Sequence, residues 1–214
     1  MGTAARAIRR ETVDITQLIL DDHHEQRRLF AILEQIDPAD TPALEAIWAR
    51  LSAFLEVHAA AEEKIFYPEL LRVGIGTGGA AGAEAETLDA IHDHNDIRDA
   101  IAAVGGHQPG SDGWFAAVAA VNVANGDHMA EEEREGLTDF RRRAGLQLRH
   151  GLAVAFAAFE ARHFAGVPAV DKDPEAYVRE AERDIAMPGG TARAGGTRRP
   201  DGSLGIGGLG KGPG

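Results

Sequence analysis

The sequence predicts an all-α protein: an antiparallel up-down four-helix bundle with additional C-terminal helices and a Gly-rich tail. Three observations carry that prediction. Apolar residues recur at intervals of three, four and seven over long stretches, the period of amphipathic helices, and no stretch alternates as a half-buried strand would. Alanine is plentiful while aromatic residues make up only 6%, a balance that favours helix over sheet. The candidate helices are joined by short to moderate loops, as in antiparallel bundles.

Residues 1–11 read as a flexible basic arm carrying Arg6, Arg9 and Arg10. Thr12 or Asp14 can cap the first helix, whose stripe is Ile15, Leu18, Ile19, Leu29, Ile32, Leu33 and Ile36 and which Asp37-Pro38 ends. Thr41-Pro42 opens the second helix with a cap and a first-turn proline. Its stripe passes through Leu44, Leu51, Leu55, His58, Glu62, Ile65 and Phe66 to Pro68, where the helix is expected to stop. Residues 74–82 form a Gly-rich loop. A third helix follows over 84–104, closed by Gly105-Gly106. Ser111 or Asp112 caps a fourth, which carries Phe115, Val118, Val121, His128 and Glu132 to about residue 143. Gly126 inside it is a weak point, costing about 1 kcal/mol relative to alanine. A fifth helix spans 146–164 and a sixth runs from Asp173-Pro174 to about residue 185. The organisation is thus an arm (1–11), a bundle (12–143), accessory helices (144–187) and a tail (188–214) whose composition predicts disorder.

The bulk properties exclude several classes of function. At 214 residues the chain holds one domain plus a tail, and 44% hydrophobic residues suffice for a sizeable core. No apolar run is long enough to cross a membrane, and no apolar stretch follows the N-terminal arginines as in a secretory signal. The absence of cysteine removes disulfides, thiolate nucleophiles and thiolate metal sites. A net charge of −12 argues against nucleic-acid binding. The expectation is a cytoplasmic protein without nucleic-acid or membrane partners.

A repeat runs through the chain. His58-Ala59-Ala60-Ala61-Glu62-Glu63 and His128-Met129-Ala130-Glu131-Glu132-Glu133 each place a histidine and a glutamate four residues apart, on one helical face. Each is preceded at nearly equal distance by Asp-His-x-x-x-Arg: Asp22-His23 with Arg27, and Asp93-His94 with Arg98. The repeat selects His23 over His24, His94 over His92, and Glu132 over Glu131. Two helix pairs packed about a pseudo-two-fold axis bring together His23, His58, Glu62, His94, His128 and Glu132. Four imidazoles and two carboxylates suit two metal ions, each seeing two histidines, with both carboxylates free to bridge. The donor set favours iron or manganese, or zinc, over calcium or magnesium.

These residues resemble the hemerythrin-like domains, the His-His-Glu cation-binding group. Asp22-His23 with Arg27, Leu29 and Phe30; His58-x-x-x-Glu62-Glu63 leading into Ile65-Phe66-Tyr67-Pro68; Asp93-His94; and His128-x-x-x-Glu132 fall where that family has its motifs. The resemblance covers residues 12–143. It implies a four-helix bundle holding a non-haem di-iron centre, bridged by oxo or hydroxo and the two glutamates, with manganese or zinc behind iron. Oxygen-carrying hemerythrins have His-x-x-x-His on the third helix and an aspartate five residues beyond the fourth-helix histidine. Here Arg98 and Ala90 flank His94, and Glu132 and Glu133 follow His128. The resemblance is therefore to a four-His, two-Glu variant with more open metal positions, suited to peroxide or nitric oxide chemistry or to redox sensing. Tyr67 or Tyr177 can supply a phenolate.

Glu63, Glu131 and Glu133 read as solvated residues or as supports behind the ligands. Asp22 and Asp93 read as ion-pair partners of Arg27 and Arg98. His107, His150 and His163 lack repeat partners and are read as incidental, and the Phe156/Phe159 run as core or as a lid on the bundle. The functional expectation is a di-iron protein that decomposes hydrogen peroxide in catalase-like fashion or binds O2 or NO, with no protein nucleophile. The alternative is an iron- or redox-responsive sensor that signals through a partner without turnover. The fifth helix has apolar surface enough either to cover the bundle or to form a homodimer contact.

Overall fold

The structure, a computed structural model, describes residues 12–76 and 82–187. The basic arm, the tip of the Gly-rich loop and the Gly-rich tail lie outside the described residues. Eight α-helices and one π-helical turn are present among the described residues, and no strand. They are α1 (Ile15–Leu33), α2 (Thr41–Ala61), a π-turn (Glu62–Phe66), α3 (Tyr67–Val73), α4 (Gly82–Val104), α5 (Asp112–Arg134), α6 (Gly136–Arg143), α7 (Leu146–His163) and α8 (Pro174–Ala186). The chain is an all-α helical bundle.

Short polar side chains start the helices. Asp14, not Thr12, caps α1 by accepting from the Thr16 N–H at 3.0 Å. The cap of α2 is Asp40, one residue ahead of the expected Thr41, accepting from Ala43 at 3.2 Å. Ser111 caps α5 through the Trp114 N–H, and Asp173 caps α8 through Ala176. Gly110 lies just before α5 with φ +81°, and a Cβ there would stand 2.1 Å from the Pro38 carbonyl oxygen. Only glycine lets the α1–α2 and α4–α5 connections meet so closely.

Two helix ends differ from expectation. The second helix does not stop at Pro68. The ladder widens to a π-turn in which the Tyr67 N–H reaches back to the Glu62 carbonyl, so Pro68 falls in the first turn of α3, where a missing N–H costs little. Conversely, the long fourth helix breaks at Glu135, with φ −110° and ψ −77°, and continues as α6. The break lies nowhere near Gly126, through which α5 runs unbroken. Its neighbour Gly136 packs against α3, where an added Cβ would make ordinary contact with Leu70 Cδ2 at 3.4 Å.

Two apolar clusters divide the interior. One holds Ile15, Ile19, Phe66, Tyr67, Ile91, Phe140 and Phe156; the other holds Leu29, Phe30, Leu33, Leu44, Leu51, Trp114 and Val121. Helix α1 passes from the first cluster to the second, and α2 passes from the second to the first. Between the clusters each helix contributes buried polar residues: His23 and Gln26 on α1, His58 on α2 with Glu62 just beyond, His94 on α4, and Asn125, His128 and Glu132 on α5. A polar layer is thus enclosed by apolar packing on both sides. Helix α7 packs on α1, α2 and the π-turn, and α8 packs on α3 and α4. No helix of the described residues is long and apolar enough to cross a membrane.

Candidate metal centre

The six residues singled out by the repeat all point into this layer. His23, His58, Glu62, His94, His128 and Glu132 are between 0% and 6% exposed, whereas His24, His92 and Glu131 are exposed. His58 Nε2 stands 2.9 Å from Glu62 Oε1, and His23 Nε2 stands 3.9 Å from the same oxygen. On the other side His94 Nε2 lies 3.3 Å from Glu62 Oε2 and 3.1 Å from His128 Nε2. Two clusters result, His23–His58–Glu62 and Glu62–His94–His128, each with its donor atoms within 4.8 Å of one another. Glu62 belongs to both. Glu132 faces the first cluster through Oε2, 3.4 Å from His23 Nε2, while its Oε1 accepts a hydrogen bond from the Tyr67 hydroxyl at 3.0 Å.

Several of these atoms have no hydrogen-bond partner. His23 Nε2, His58 Nε2, both Glu62 oxygens and Glu132 Oε2 are buried and make none. Buried polar atoms are hydrogen-bonded in the great majority of cases, so unpaired lone pairs converging at one point fit a cation. Imidazole nitrogen with carboxylate oxygen, and no sulfur, is a donor set for iron, manganese or zinc.

Behind each inward Nε2 stands a carboxylate at Nδ1. Asp22 Oδ2 is 3.4 Å from His58 Nδ1, and Asp93 Oδ2 is 3.4 Å from His128 Nδ1. Glu133 Oε1 is 3.0 Å from His23 Nδ1, and Glu63 Oε1 is 2.9 Å from His94 Nδ1. Arg27 and Arg98 then hold Glu133 and Glu63, each at 2.8 Å. The ion pairs expected between Asp22 and Arg27, and between Asp93 and Arg98, are therefore replaced. Adjacent helical positions point about 100° apart, which turns each aspartate towards the next helix of its own pair and each arginine towards a glutamate of the other pair. At His23 and His94 the contact is a hydrogen bond, which fixes the tautomer and raises the basicity of the inner nitrogen. Asp22 and Asp93 stand farther off, and His58 Nδ1 and Asp22 Oδ2 make no hydrogen bond.

The electrostatics follow from this enclosure. Burial alone would push the His94 imidazolium down, but the adjacent carboxylates of Glu62 and Glu63 hold its pKa up at about 9. For His58 burial is likewise outweighed, by the charge of Glu62 and by Asp22, and its pKa is well above the usual value. Burial would raise Glu63, yet His94, Lys172 and Arg98 hold it at about 2. Burial and the neighbouring carboxylates keep the Tyr67 phenol protonated far above its usual range, consistent with its role as a donor to Glu132. The Tyr177 hydroxyl is turned away from the centre and donates to the Glu63 backbone carbonyl. A cleft of about 30 Å³ opens beside His128 and Glu132, lined also by Tyr67, Ala90, Asp93 and Gly136, with room for a water-sized molecule.

The model of the hemerythrin HHE cation-binding domain matches residues 14–138, more than half of the chain. The chain belongs to this family. Comparison with curated proteins and with solved structures finds no match. The HHE match spans α1 to α5 and the start of α6, and makes this a metal-binding helical domain; α7 and α8 lie beyond it.

Residues outside the repeat also reach the HHE centre. Glu160 of α7 brings a carboxyl within 4.8 Å of Asp22 and His58, and burial together with the Asp22 charge pushes its pKa up to about 7. Asn125 donates to Gln26 at 2.9 Å within the polar layer, and Lys172 binds Glu63. Glu160 and Lys172 carry no spacing signal, because they arrive from α7 and from the loop before α8. Gln26 and Asn125 stand three residues from His23 and His128 on the same helices, a helical spacing that could have marked them. The remaining histidines serve elsewhere: His150 Nδ1 lies 3.1 Å from the Val13 carbonyl oxygen, and His163 Nδ1 lies 2.7 Å from that of Phe159.

Proposed function

We propose that this HHE domain is a non-haem di-iron protein of a four-His, two-Glu type that decomposes hydrogen peroxide, with O2 or NO as other small molecules it can bind. His23 and His58 hold one iron, His94 and His128 the other. Glu62 and Glu132 serve as the carboxylates between them, with manganese and zinc less suited. One observation carries the reading: two buried histidine pairs share Glu62, and both Glu62 oxygens, with the inward nitrogens of His23 and His58, make no hydrogen bond. When bound, an iron pair supplies the two electrons exchanged as one peroxide is reduced to water and a second is oxidised to O2.

The chain supplies the rest. Glu63 and Glu133 orient the His94 and His23 imidazoles through Nδ1, and Asp22 and Asp93 stand beside those of His58 and His128. The protonated Tyr67 fixes Glu132 and stands at the cleft, where its hydroxyl can also orient an entering peroxide. The cleft beside His128 has room for a water-sized molecule and so favours a small substrate, and the apolar clusters on both sides keep bulk water out. The test is anaerobic loading with ferrous iron, elemental analysis, then a peroxide titration. Two irons per chain, evolved oxygen and a changed near-ultraviolet absorption are expected. Iron uptake without oxygen evolution would rule out the catalase-like activity and leave binding alone.

A second reading, an iron- or redox-responsive sensor, draws on two contacts to one residue. Lys172 and Tyr177 tie α8 and its preceding loop to Glu63, so a change at the centre has a mechanical route to the C-terminal part. Amide exchange in α8 that responds to iron loading, in the absence of turnover, is the expected sign of that role.

A further inference from the structure

The two halves of the centre differ at several points: Tyr67 holds Glu132, and Glu160 reaches only the Asp22–His58 side. One further difference, at a carboxylate behind the histidines, brings in a residue from outside the matched domain. Glu133 is held by His23 and Arg27, and its side chain is 30% exposed. Its counterpart Glu63 is held by His94 and Arg98, is 1% exposed, and also receives the ammonium of Lys172 on Oε2. Lys172 stands in the loop before α8, outside the matched domain. Its backbone is clamped on both sides by Asn95: the Lys172 N–H donates to Asn95 Oδ1 at 3.0 Å, and Asn95 Nδ2 donates to the Lys172 carbonyl at 2.7 Å. Asn95 follows His94 just as His24 follows His23, and His24 is exposed. The substitution of asparagine for histidine within the repeat thus creates a docking point on one half only.

We infer that Lys172 is a positioning residue that makes the two metal positions electronically unequal. A carboxylate that shares its charge with an ammonium accepts a weaker hydrogen bond from His94 Nδ1, so His94 is a poorer donor than His23. The added positive charge also favours the lower oxidation state of a metal bound by His94 and His128. The C-terminal segment therefore sets which of the two positions stays reduced. The inference rests on the two-iron reading above.

The test uses the full chain loaded with ⁵⁷Fe, read by Mössbauer spectroscopy and by a spectroscopically followed redox titration. Wild type is expected to give two iron signals. Lys172→Met should move one signal and leave the other, and at a fixed potential should lower the ferrous-to-ferric ratio of the moved iron about tenfold. Lys172→Arg should restore both. Arg27→Met, acting on Glu133, should move the opposite signal. Asn95→Ala removes the clamp, and with it one contact of Arg98 at 3.2 Å, without touching a carboxylate, and should shift the same signal as Lys172→Met, which covers the case in which that variant folds poorly. Two irons per chain with both signals unmoved, or moved together, by Lys172→Met and Asn95→Ala overturn the inference and leave the di-iron reading standing. A wild type that takes up no iron pair overturns both at the loading step.

Discussion

Glu63 Oε1 lies 2.9 Å from His94 Nδ1, so a carboxylate from the first helix pair orients an imidazole of the second. Glu133 does the converse for His23 at 3.0 Å. Each half of the repeat supplies what the other half needs to aim its histidine. The centre is therefore a property of the assembled bundle, since one histidine of each helix pair is oriented by a glutamate of the other pair.

This exchange makes Glu63→Gln informative. The amide keeps the volume but removes the charge that holds His94, Arg98 and Lys172. Loss of such an outer partner typically costs about tenfold to a hundredfold in metal affinity. Competition against a chelator of known affinity should show a fall of that size. Unchanged affinity would mean that the His94 ring is held by packing alone, against the neighbouring Tyr67 ring at 5.8 Å.

Glu62 is the one side chain common to both clusters, and its removal should be felt at both. Glu62→Ala is expected to lose both metals on gel filtration, whereas His128→Ala should retain the metal on the His23–His58 side. Metal content per chain by elemental analysis separates the two outcomes. Equal loss from both variants would show that the positions fill only together.

Much of this was legible because a ligand set on helices must obey the helical period. The spacing of four within His58-x-x-x-Glu62 and His128-x-x-x-Glu132 put both side chains on one face, and the second copy chose between neighbours such as His23 and His24. The apolar stripes located the helices for the same reason. What could not be read was set by tertiary contact. Asp22 lies beside His58 of the second helix, at 3.4 Å, and Arg27 is taken instead by Glu133. Pro68 does not end its helix because the π-turn before it shifts the ladder. Glu135 interrupts α5 where Gly126 does not, and α6 beyond the break packs on α3. Glu160 and Lys172 reach the centre from helices and loops whose sequence carries no period in common with it.

Gly126 offers a prediction independent of metal. It sits in mid-α5, its φ is not positive, and an added Cβ would meet nothing within 4 Å. Gly126→Ala should stabilise the protein by about 1 kcal/mol, through helix propensity and a less flexible unfolded chain. For a chain of this size that corresponds to a rise of roughly 2–4 °C in Tm. Thermal denaturation followed by circular dichroism checks it. A fall in Tm would indicate that the glycine is needed for a motion of α5.

The last prediction concerns pH. In the chelator-stripped protein the His94 imidazolium is held at about 9 against an ordinary 6.5. Its contribution to stability is complete below 6.5 and is lost as pH rises through about 9, on the order of 3 kcal/mol for this group. Glu63 and Glu133, held at about 2 against an ordinary 4.5, contribute fully above 4.5 and lose that contribution as pH falls through about 2. The stripped protein should therefore be most resistant to urea between about pH 4.5 and 6.5 and weaken on the alkaline side. Metal reverses the alkaline trend, because each coordinating Nε2 must first give up its proton. Metal affinity should rise across the window in which stripped-protein stability falls, and metal added in weak buffer near pH 7 should release protons detectable with an indicator dye. A stripped protein whose urea midpoint does not fall between pH 6.5 and 9 would show that the His94 proton is not part of what holds the metal-free bundle together.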